Sequence, residues 1–451
     1  MAQIAVELSQ RGFEVSGSDI DFYEPMGSLL KSTKIKLFKG YEAKNITNDL
    51  DLVVIGNAVR RDNPEVVAMA KKKCAYTLFP KLFFELGISG KHSIVVAGTH
   101  GKSTTTGITA SVLKGAENSP TYFVGGIING FSSSLQCGSG AYSTVEGDEY
   151  DSAFFAKLPK FHFYKPDTLI ITSIEFDHAD IYPNLEAIEN EFIKLIDNMP
   201  LNGQIIACID CKNVERLVNT IWKEKNIISY GINKNAQYIL ENRTFENIGE
   251  RRYQKVKSKS IEFYIPLLGS YNAKNALASY LACKAAGINE DKIKEGFLSF
   301  RGVKRRQEII KNSNQLIVMD DFAHHPTAVK ETLAGIQEAY PEYKIICAFE
   351  PRSNTSRRKV FQESYKTSFQ CADIVVLSKV AARPGDENLE LFSVEELSNG
   401  IQENEPKKEV HVCDGAQAVL GCLKRVIEGN NGKNLVVTMS NGAFGGISTS
   451  I

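Results

Sequence analysis

The most informative stretch of this chain is an apolar run followed by a glycine-rich loop and a helix. Residues 93–113 read SIVVAGTHGKSTTTGITASVL, which predicts a buried strand, a tight loop and a helix in succession. Backbone N–H groups of such a loop bind phosphate oxygens, Lys102 would neutralise their charge, and the Ser103 hydroxyl would reach Mg²⁺. The strict phosphate-loop motif has glycine where this chain has Val96. The sequence therefore predicts a variant phosphate-binding loop.

Two acidic segments come at the ends of apolar runs that we predict to be strands of the same parallel sheet. Glu146-Gly-Asp-Glu-Tyr-Asp151 ends the run 141–146, and Glu175-Phe-Asp-His-Ala-Asp180 follows the run 168–174. Parallel sheets bind ligands at the carboxyl ends of their strands, and Mg²⁺ prefers carboxylate oxygens. His178 would bind a metal ion or the transferred phosphoryl group. A solvated acidic turn and a structural histidine are the alternatives, and the nearby phosphate loop favours function.

Two further polar segments follow predicted strands in the C-terminal third. Asp320-Asp-Phe-Ala-His-His325 follows the run 316–319, and its acids and histidines indicate contacts to a ribose or a phosphate. Glu350-Pro-Arg-Ser-Asn-Thr355 follows the run 344–349, and Arg352 would form a bidentate pair with a substrate carboxylate. The structural alternatives are a helix cap for the first segment and an exposed turn for the second.

Alternating predicted helices and strands divide the chain into three α/β domains, with boundaries at 88/89 and 303/304. The chain opens with a helix, AQIAVELSQRG, and then a strand at 13–16. We find no strand and glycine-rich loop before that helix, although a dinucleotide-type fold begins with them. The polar stretch 241–260 is predicted to be an excursion or a hairpin. The last domain is expected to open with the strand 315–319.

Charge and hydropathy argue against nucleic acid and membranes as partners. Lys plus Arg and Asp plus Glu both number 53, so no surplus charge attracts a polyanion or a lipid surface. No stretch reaches the ~18–20 apolar residues that span a bilayer, and the N-terminus lacks the features of a signal peptide. Nine scattered cysteines suit a reducing compartment. We expect a cytoplasmic monomer.

The order of these motifs resembles the Mur ligases of peptidoglycan synthesis, in particular the members that act on muramate. The resemblance covers nearly the whole chain and implies ATP and Mg²⁺ as cofactors. It rests on GTHGKSTT at 98–105, EGDEYD at 146–151, EFDHAD at 175–180, the N-x-x-N helix at 272–275 and DDFAHHP at 320–326. It implies an α/β fold with a Rossmann-like UDP-sugar domain lacking its first strand (1–88), a P-loop ATPase-like domain (89–303) and a Rossmann-like domain for nucleotide and peptide (304–451).

The same resemblance implies roles for individual residues. Those that would bind ATP are Gly98, Thr99, His100, Gly101, Lys102, Ser103, Thr104, Asn272, Asn275, Arg306, Asp321 and His325. Lys102, Glu146 and His178 would be catalytic, and Ser103, Glu146 and His178 would hold Mg²⁺. The residues that would contact the peptide are Arg352, Ser353, Asn354 and Thr355.

Within the family, four stretches resemble the branch that recycles murein peptides: 146–161, 174–185, 349–358 and 439–446. That branch converts the lactyl carboxylate of UDP-N-acetylmuramate to an acyl phosphate and joins it to the tripeptide L-Ala-γ-D-Glu-meso-diaminopimelate. The alternative within the family is the addition of L-alanine to the same carboxylate. A regulatory ATP-binding module and folate polyglutamate synthesis are more distant alternatives.

Overall fold

The computed structural model describes residues 1–24, 26–117, 119–177, 181–353, 356–381 and 390–451. The predicted site residues His178, Asn354 and Thr355 lie outside these ranges. The chain forms two compact units. The first contains Met1–Glu175, Glu186–Gln237 and Ala278–Ser299, and the second contains Phe176–Leu185, Tyr238–Leu277 and Phe300–Ile451. The domain boundaries at 88/89 and 303/304 stay a prediction.

Short helices and strands alternate in the N-terminal part of the first unit. They are α1 (Ala2–Gln10), β1 (Ser16–Asp19), α2 (Met26–Lys31), β2 (Lys36–Lys39), β3 (Val53–Ile55), α3 (Pro64–Lys72), β4 (Tyr76–Leu78) and α4 (Phe79–Phe83). Strand β1 pairs in parallel with β2, and β3 pairs in parallel with β4. The opening helix is confirmed. The strand predicted at 13–16 begins only at Ser16, and the Phe13 side chain before it is exposed.

A mainly parallel sheet forms the core of the first unit. Its region contains β5 (His92–Ala97), α5 (Lys102–Ala116), β6 (Thr121–Phe123), β7 (Leu135–Gln136), β8 (Tyr142–Gly147), β9 (Asp151–Ala153), β10 (Ala156–Pro159), β11 (Thr168–Ile171), α6 (Leu185–Asp197), β12 (Gln204–Cys208), α7 (Lys212–Asn219) and β13 (Ile227–Gly231). The strand order is β13-β12-β11-β5-β8-β6-β7, and β5 pairs in parallel with β8 and β11. Residues 94–97 of β5 are fully buried, as expected for a strand covered on both faces.

The next segment contains one short strand, β14, followed by an antiparallel sheet of three strands and by two helices. The elements are β14 (Tyr238–Ile239), β15 (Asn242–Ile248), β16 (Arg251–Ser258), β17 (Ile261–Ile265), α8 (Ser270–Ala285) and α9 (Glu290–Ser299). Strand β16 pairs with β15 on one side and with β17 on the other. The hairpin predicted at 241–260 is therefore confirmed. Helix α9 packs on α5 in the first unit, where Gly296 lies against the Val112 backbone.

The C-terminal region forms a six-stranded sheet with the order β18-β19-β23-β20-β21-β22. Its elements are β18 (Glu308–Asn312), β19 (Leu316–Asp321), α10 (Pro326–Ala339), β20 (Lys344–Phe349), α11 (Gln362–Tyr365), β21 (Ile374–Ser378), α12 (Val394–Asn404), β22 (Glu409–Cys413), α13 (Gly415–Glu428) and β23 (Asn434–Met439). Strand β18 is antiparallel to β19, and the other pairs are parallel. The expectation that the strand at 315–319 opens this region was wrong, because the half-exposed β18 precedes it. Among the described helices, none is long and apolar enough to cross a bilayer.

Candidate active site

The predicted phosphate loop lies between two other motif-bearing strands of the first unit. Strand β5 ends at Ala97 and leads into the loop, β8 ends with Glu146 and Gly147, and β11 leads to Glu175. Because β5 is parallel to both neighbours, the three carboxyl ends meet at one edge of the sheet. The structure thus brings together the loop and the beginnings of both acidic segments, as the sequence predicted.

Two glycines give the loop a backbone that other residues rarely adopt. Gly98 has φ +129°, and a Cβ atom there would lie 2.3 Å from Thr172 Oγ1 and 2.7 Å from the carbonyl oxygen of Ser173. Gly101 has φ +82° and caps the N-terminus of α5, whose first turn carries no acidic side chain. The backbone N–H groups and the dipole at the N-terminus of a helix attract anions, so this end of α5 is suited to bind one. The loop therefore has the backbone geometry that phosphate binding requires.

The ammonium group of Lys102 is held within the loop by acidic and carbonyl oxygens. It lies 2.9 Å from Glu149 Oε2 and donates a 2.7 Å hydrogen bond to the Gly98 carbonyl oxygen. Burial lowers the pKa of Lys102, but the carboxylates of Glu149, Asp148 and Glu146 more than offset this, so the pKa is raised overall. Lys102 therefore keeps its positive charge.

Ser103 and Glu146 form the oxygen cluster predicted for Mg²⁺. The Ser103 hydroxyl donates a 3.1 Å hydrogen bond to Glu146 Oε1, and the N–H of Gly125 donates a 2.7 Å bond to Glu146 Oε2. Both are hard oxygen donors of the kind that Mg²⁺ takes alongside phosphate oxygens and water. The two residues fit the ion.

The loop is also tied to the segment after β11. The Thr99 hydroxyl accepts a 2.8 Å hydrogen bond from the Glu175 N–H, and the His100 N–H donates a 3.1 Å bond to Ser173 Oγ. His100 Nε2 lies 3.4 Å from a Glu175 carboxylate oxygen. Thr104, in the first turn of α5, is buried. These contacts fix the loop relative to two strands, and they assign Thr99 and His100 a structural role in addition to the predicted contact with ATP.

In the second unit, Asn272 and Asn275 lie inside the protein. Asn272 Nδ2 donates to the Leu268 carbonyl oxygen at 2.9 Å and to Gln307 Oε1 at 3.1 Å, and Asn275 Nδ2 donates to Asn272 Oδ1 at 3.3 Å. Both asparagines are at most 5% exposed. Their contact with a nucleotide stays a prediction, and what the structure adds is an amide chain that orders the start of α8.

Asp321 and its neighbours are similarly engaged. Asp321 accepts hydrogen bonds from the backbone N–H groups of Gln307 at 2.7 Å and Ala323 at 2.8 Å, and burial raises its pKa. The Arg306 guanidinium lies 4.5 Å from the Phe322 ring centre. His325 is buried at the N-terminus of α10, where Nδ1 faces the Thr327 N–H at 3.4 Å. The helix-cap alternative for His325 is thus part of the structure, and nucleotide contacts of Arg306, Asp321 and His325 stay predictions.

A second charged cluster lies at the carboxyl ends of β19, β20 and β23. Glu350 accepts a 2.5 Å hydrogen bond from the Ser440 hydroxyl, and Arg352, about half exposed, places Nη1 3.9 Å from Glu350 Oε1. Arg305 lies 3.4 Å from Asp320, and burial raises the pKa of Asp320 to about 6 although Arg305 lowers it. A carboxylate, an exposed guanidinium and a hydroxyl together offer partners for both ends of an amino acid.

Several residues of these clusters were not singled out from the sequence. Glu149 was named only as one acid of its motif, although it is the ion-pair partner of Lys102. Lys160, which pairs with Asp148, and Arg305, which donates to the Ser440 carbonyl oxygen, carried no motif signal. Ser353, predicted to bind peptide, forms a local turn through a 2.8 Å bond between its hydroxyl and that of Ser356.

Comparison with known proteins gives the family. The family model described as "Mur ligase family, catalytic domain" matches residues 1–86, "Mur ligase middle domain" matches 96–283, and "Mur ligase, glutamate ligase domain" matches 305–442. The three successive matches confirm the expected three-domain Mur ligase architecture.

Individual relatives cover almost the whole chain. UDP-N-acetylmuramate–L-alanyl-γ-D-glutamyl-meso-2,6-diaminoheptandioate ligase of Escherichia coli is 32% identical over 99% of this chain and 94% of its own length. UDP-N-acetylmuramate–L-alanine ligase of Myxococcus xanthus is also 32% identical, over 98% of this chain and 90% of its own length.

Solved structures show the same two kinds of relative. The UDP-N-acetylmuramate–alanine ligase of Thermotoga maritima has a TM-score of 0.76 at 25% identity, with 100% of this chain and 95% of that chain covered. A murein peptide ligase from Psychrobacter arcticus has a TM-score of 0.65 at 28% identity, with 100% and 97% covered. The chain belongs to the Mur ligase family, whose members use ATP to join an acid to an amino acid or peptide.

Proposed function

We propose that this ligase joins UDP-N-acetylmuramate to the murein tripeptide L-Ala-γ-D-Glu-meso-diaminopimelate and so returns recovered peptide to peptidoglycan synthesis. The observation that carries the proposal is the cluster after β20, in which an exposed Arg352 lies beside Glu350 and Ser440. The tripeptide ends in a diamino acid that carries both a carboxylate and an ammonium group. A guanidinium beside a carboxylate is complementary to such an end.

The reaction needs ATP because a carboxylate is a poor electrophile. An oxygen of the muramate carboxylate attacks the γ-phosphorus, the bond to the β–γ bridging oxygen breaks, and ADP leaves. The peptide amine then attacks the carbonyl carbon of the acyl phosphate and loses a proton, and inorganic phosphate leaves. Lys102 and the N–H groups at the start of α5 would hold the phosphates and offset the repulsion between the two anionic reactants.

Ser103 and Glu146 would hold Mg²⁺, with His178 as the predicted third ligand. Bound there, the ion would neutralise phosphate charge during the transfer. To bind it, Ser103 must turn its hydroxyl proton away from Glu146 Oε1, to which it now donates. The Gly125 N–H meanwhile keeps the other Glu146 oxygen in place. We also propose that the remaining predicted residues contact ATP and that the protein is a cytoplasmic monomer.

The second candidate is the addition of L-alanine to UDP-N-acetylmuramate. It is favoured by the relatives of that name at 30–33% identity and by the TM-score of 0.76 to one of them. L-Alanine has no distal diamino acid end, so this reaction would give the Glu350–Arg352 pair a different task. The two candidates therefore make different predictions for Arg352.

Phosphate release tests the proposal directly. The protein is incubated with ATP, Mg²⁺ and UDP-N-acetylmuramate, and either the tripeptide or L-alanine is added. We expect release that depends on the sugar nucleotide and the tripeptide together, with formation of the UDP-linked tripeptide seen by mass spectrometry. Release that depends on L-alanine instead would favour the second candidate, and no release with either amine would refute both.

A further inference from the structure

Lys160, which was not among the predicted site residues, lies next to the acidic segment that also contains the ion-pair partner of Lys102. Lys160 follows the hairpin formed by β9 and β10 and forms an ion pair with Asp148, in the acidic segment that also contains Glu146 and Glu149. The Lys160 side chain is 18% exposed and that of Asp148 is 27% exposed, so water screens the pair only in part.

The position of Lys160 is fixed by the residues around it. The next residue, Phe161, is fully buried and packs against Phe192 on α6 at a ring-centre distance of 5.5 Å. At the tip of the hairpin, Phe154 packs against the hydrophobic cluster around Ile55 and Met69 in the N-terminal part of the unit. Anchored on both sides, the backbone holds the Lys160 side chain next to Asp148.

The charges in this cluster explain what the ion pair does. Three carboxylates, those of Glu146, Asp148 and Glu149, attract the Lys102 ammonium group, and Glu149 forms an ion pair with it at 2.9 Å. Without Lys160, the Asp148 carboxylate would attract the Lys102 ammonium group more strongly. This matters because Lys102 must leave its acidic partners to bind phosphate.

We propose that Lys160 is a positioning residue for ATP binding. By pairing with Asp148, it leaves Glu149 as the main acidic competitor for Lys102 and reduces the negative field that an incoming polyphosphate meets. This inference rests on the proposed role of Lys102 as a ligand of the ATP phosphates. It adds a role for the hairpin, which connects the N-terminal part of the unit to the acidic segment after β8.

The test compares the Michaelis constants for MgATP of charge variants at saturating sugar nucleotide and amine. Lys160→Gln is expected to raise KM for MgATP about tenfold, the effect of one unbalanced, partly buried charge, with a smaller change in kcat. Lys160→Arg keeps the charge and should stay near the wild type. Adding Asp148→Asn to Lys160→Gln removes the unbalanced carboxylate and should restore KM.

The matched control is Lys157→Gln, which removes the same charge from an exposed position in the same hairpin and should leave KM unchanged. Thermal unfolding of every variant reports on folding. If Lys160→Gln changes only stability or kcat, or if Asp148→Asn does not restore KM, the ion pair is structural and the inference is wrong. Lys102→Met is measured in parallel: unchanged ATP binding in that variant overturns the proposed role of the loop itself, whereas a loss there with no effect of Lys160→Gln overturns the role of Lys160 alone.

Discussion

Replacing Gly98 by alanine should displace the phosphate loop while leaving the rest of the first unit folded. The new Cβ atom would lie 2.3 Å from Thr172 Oγ1 and 2.7 Å and 2.9 Å from the carbonyl oxygen and the nitrogen of Ser173, whereas ordinary contact begins at 3.4 Å. The Thr172 side chain can rotate, but the Ser173 backbone belongs to the segment that follows β11. The loop must therefore move by about 0.5 to 1 Å, the difference between these distances and 3.4 Å.

A shift of this size sets the expected magnitudes. A misplacement of about 1 Å at a catalytic site costs on the order of 10²-fold in rate, so kcat/KM for ATP should fall by about that factor. An alanine at φ +129° should also lower the free energy of unfolding by about 1–3 kcal/mol. Phosphate release at varied ATP gives the first quantity, and urea unfolding gives the second.

Gly90→Ala supplies the matched control. Gly90 also has a positive φ, +80°, but a Cβ atom there would meet no atom within 4 Å. This variant should lose about 1 kcal/mol of stability and keep its activity. If Gly98→Ala retains wild-type kcat/KM for ATP, or if both variants lose activity equally, the loop does not position the nucleotide as argued.

Three further predictions follow from the same contacts. Lys102→Met should reduce phosphate release by roughly 10²–10³-fold. Because this change removes the ammonium partner of the buried Glu149, it should also lower the unfolding free energy by about 3 kcal/mol. Adding Glu149→Gln should recover stability in urea unfolding but not activity, and recovered activity would contradict the phosphate role. Because burial raises the pKa of Asp320 to about 6 from 3.8 in the unfolded chain, its contribution to stability falls as the pH rises from about 4 to 6. Asp320→Asn should therefore stabilise the protein at pH 8 by about 1–2 kcal/mol, a value reduced to allow for the partial exposure of the carboxylate, and should have little effect near pH 4. Denaturant titrations measure both effects, and equal effects at the two pH values would refute the prediction. Arg352→Lys keeps the charge but loses the planar fork, so KM for the tripeptide should rise about 10- to 100-fold with KM for ATP unchanged; an unchanged KM for the tripeptide would remove Arg352 from the peptide site.

The local parts of the fold were readable from the sequence because they depend on short-range patterns. The helix at the N-terminus, the strand at 344–349 and the hairpin within 241–260 all follow from apolar periodicity and turn residues. Predictions were less accurate where the apolar signal is weak. Strand β1, SGSD, has no apolar residue, and β18 is half exposed at the edge of its sheet, so neither has the pattern of a buried strand.

The position and backbone conformation of the predicted phosphate loop could be read from the sequence alone, since glycine, lysine and serine follow a strand at a characteristic spacing. What only the tertiary structure decided is which charges meet there. The pairing of Lys102 with Glu149 and of Lys160 with Asp148 joins residues 47 and 12 positions apart, and it depends on β5 and β8 lying in parallel and on where the β9–β10 hairpin folds back. Spacing along the chain specifies a backbone conformation, but Coulomb energy depends on distance in space and on burial, and the packed sheet fixes both of these.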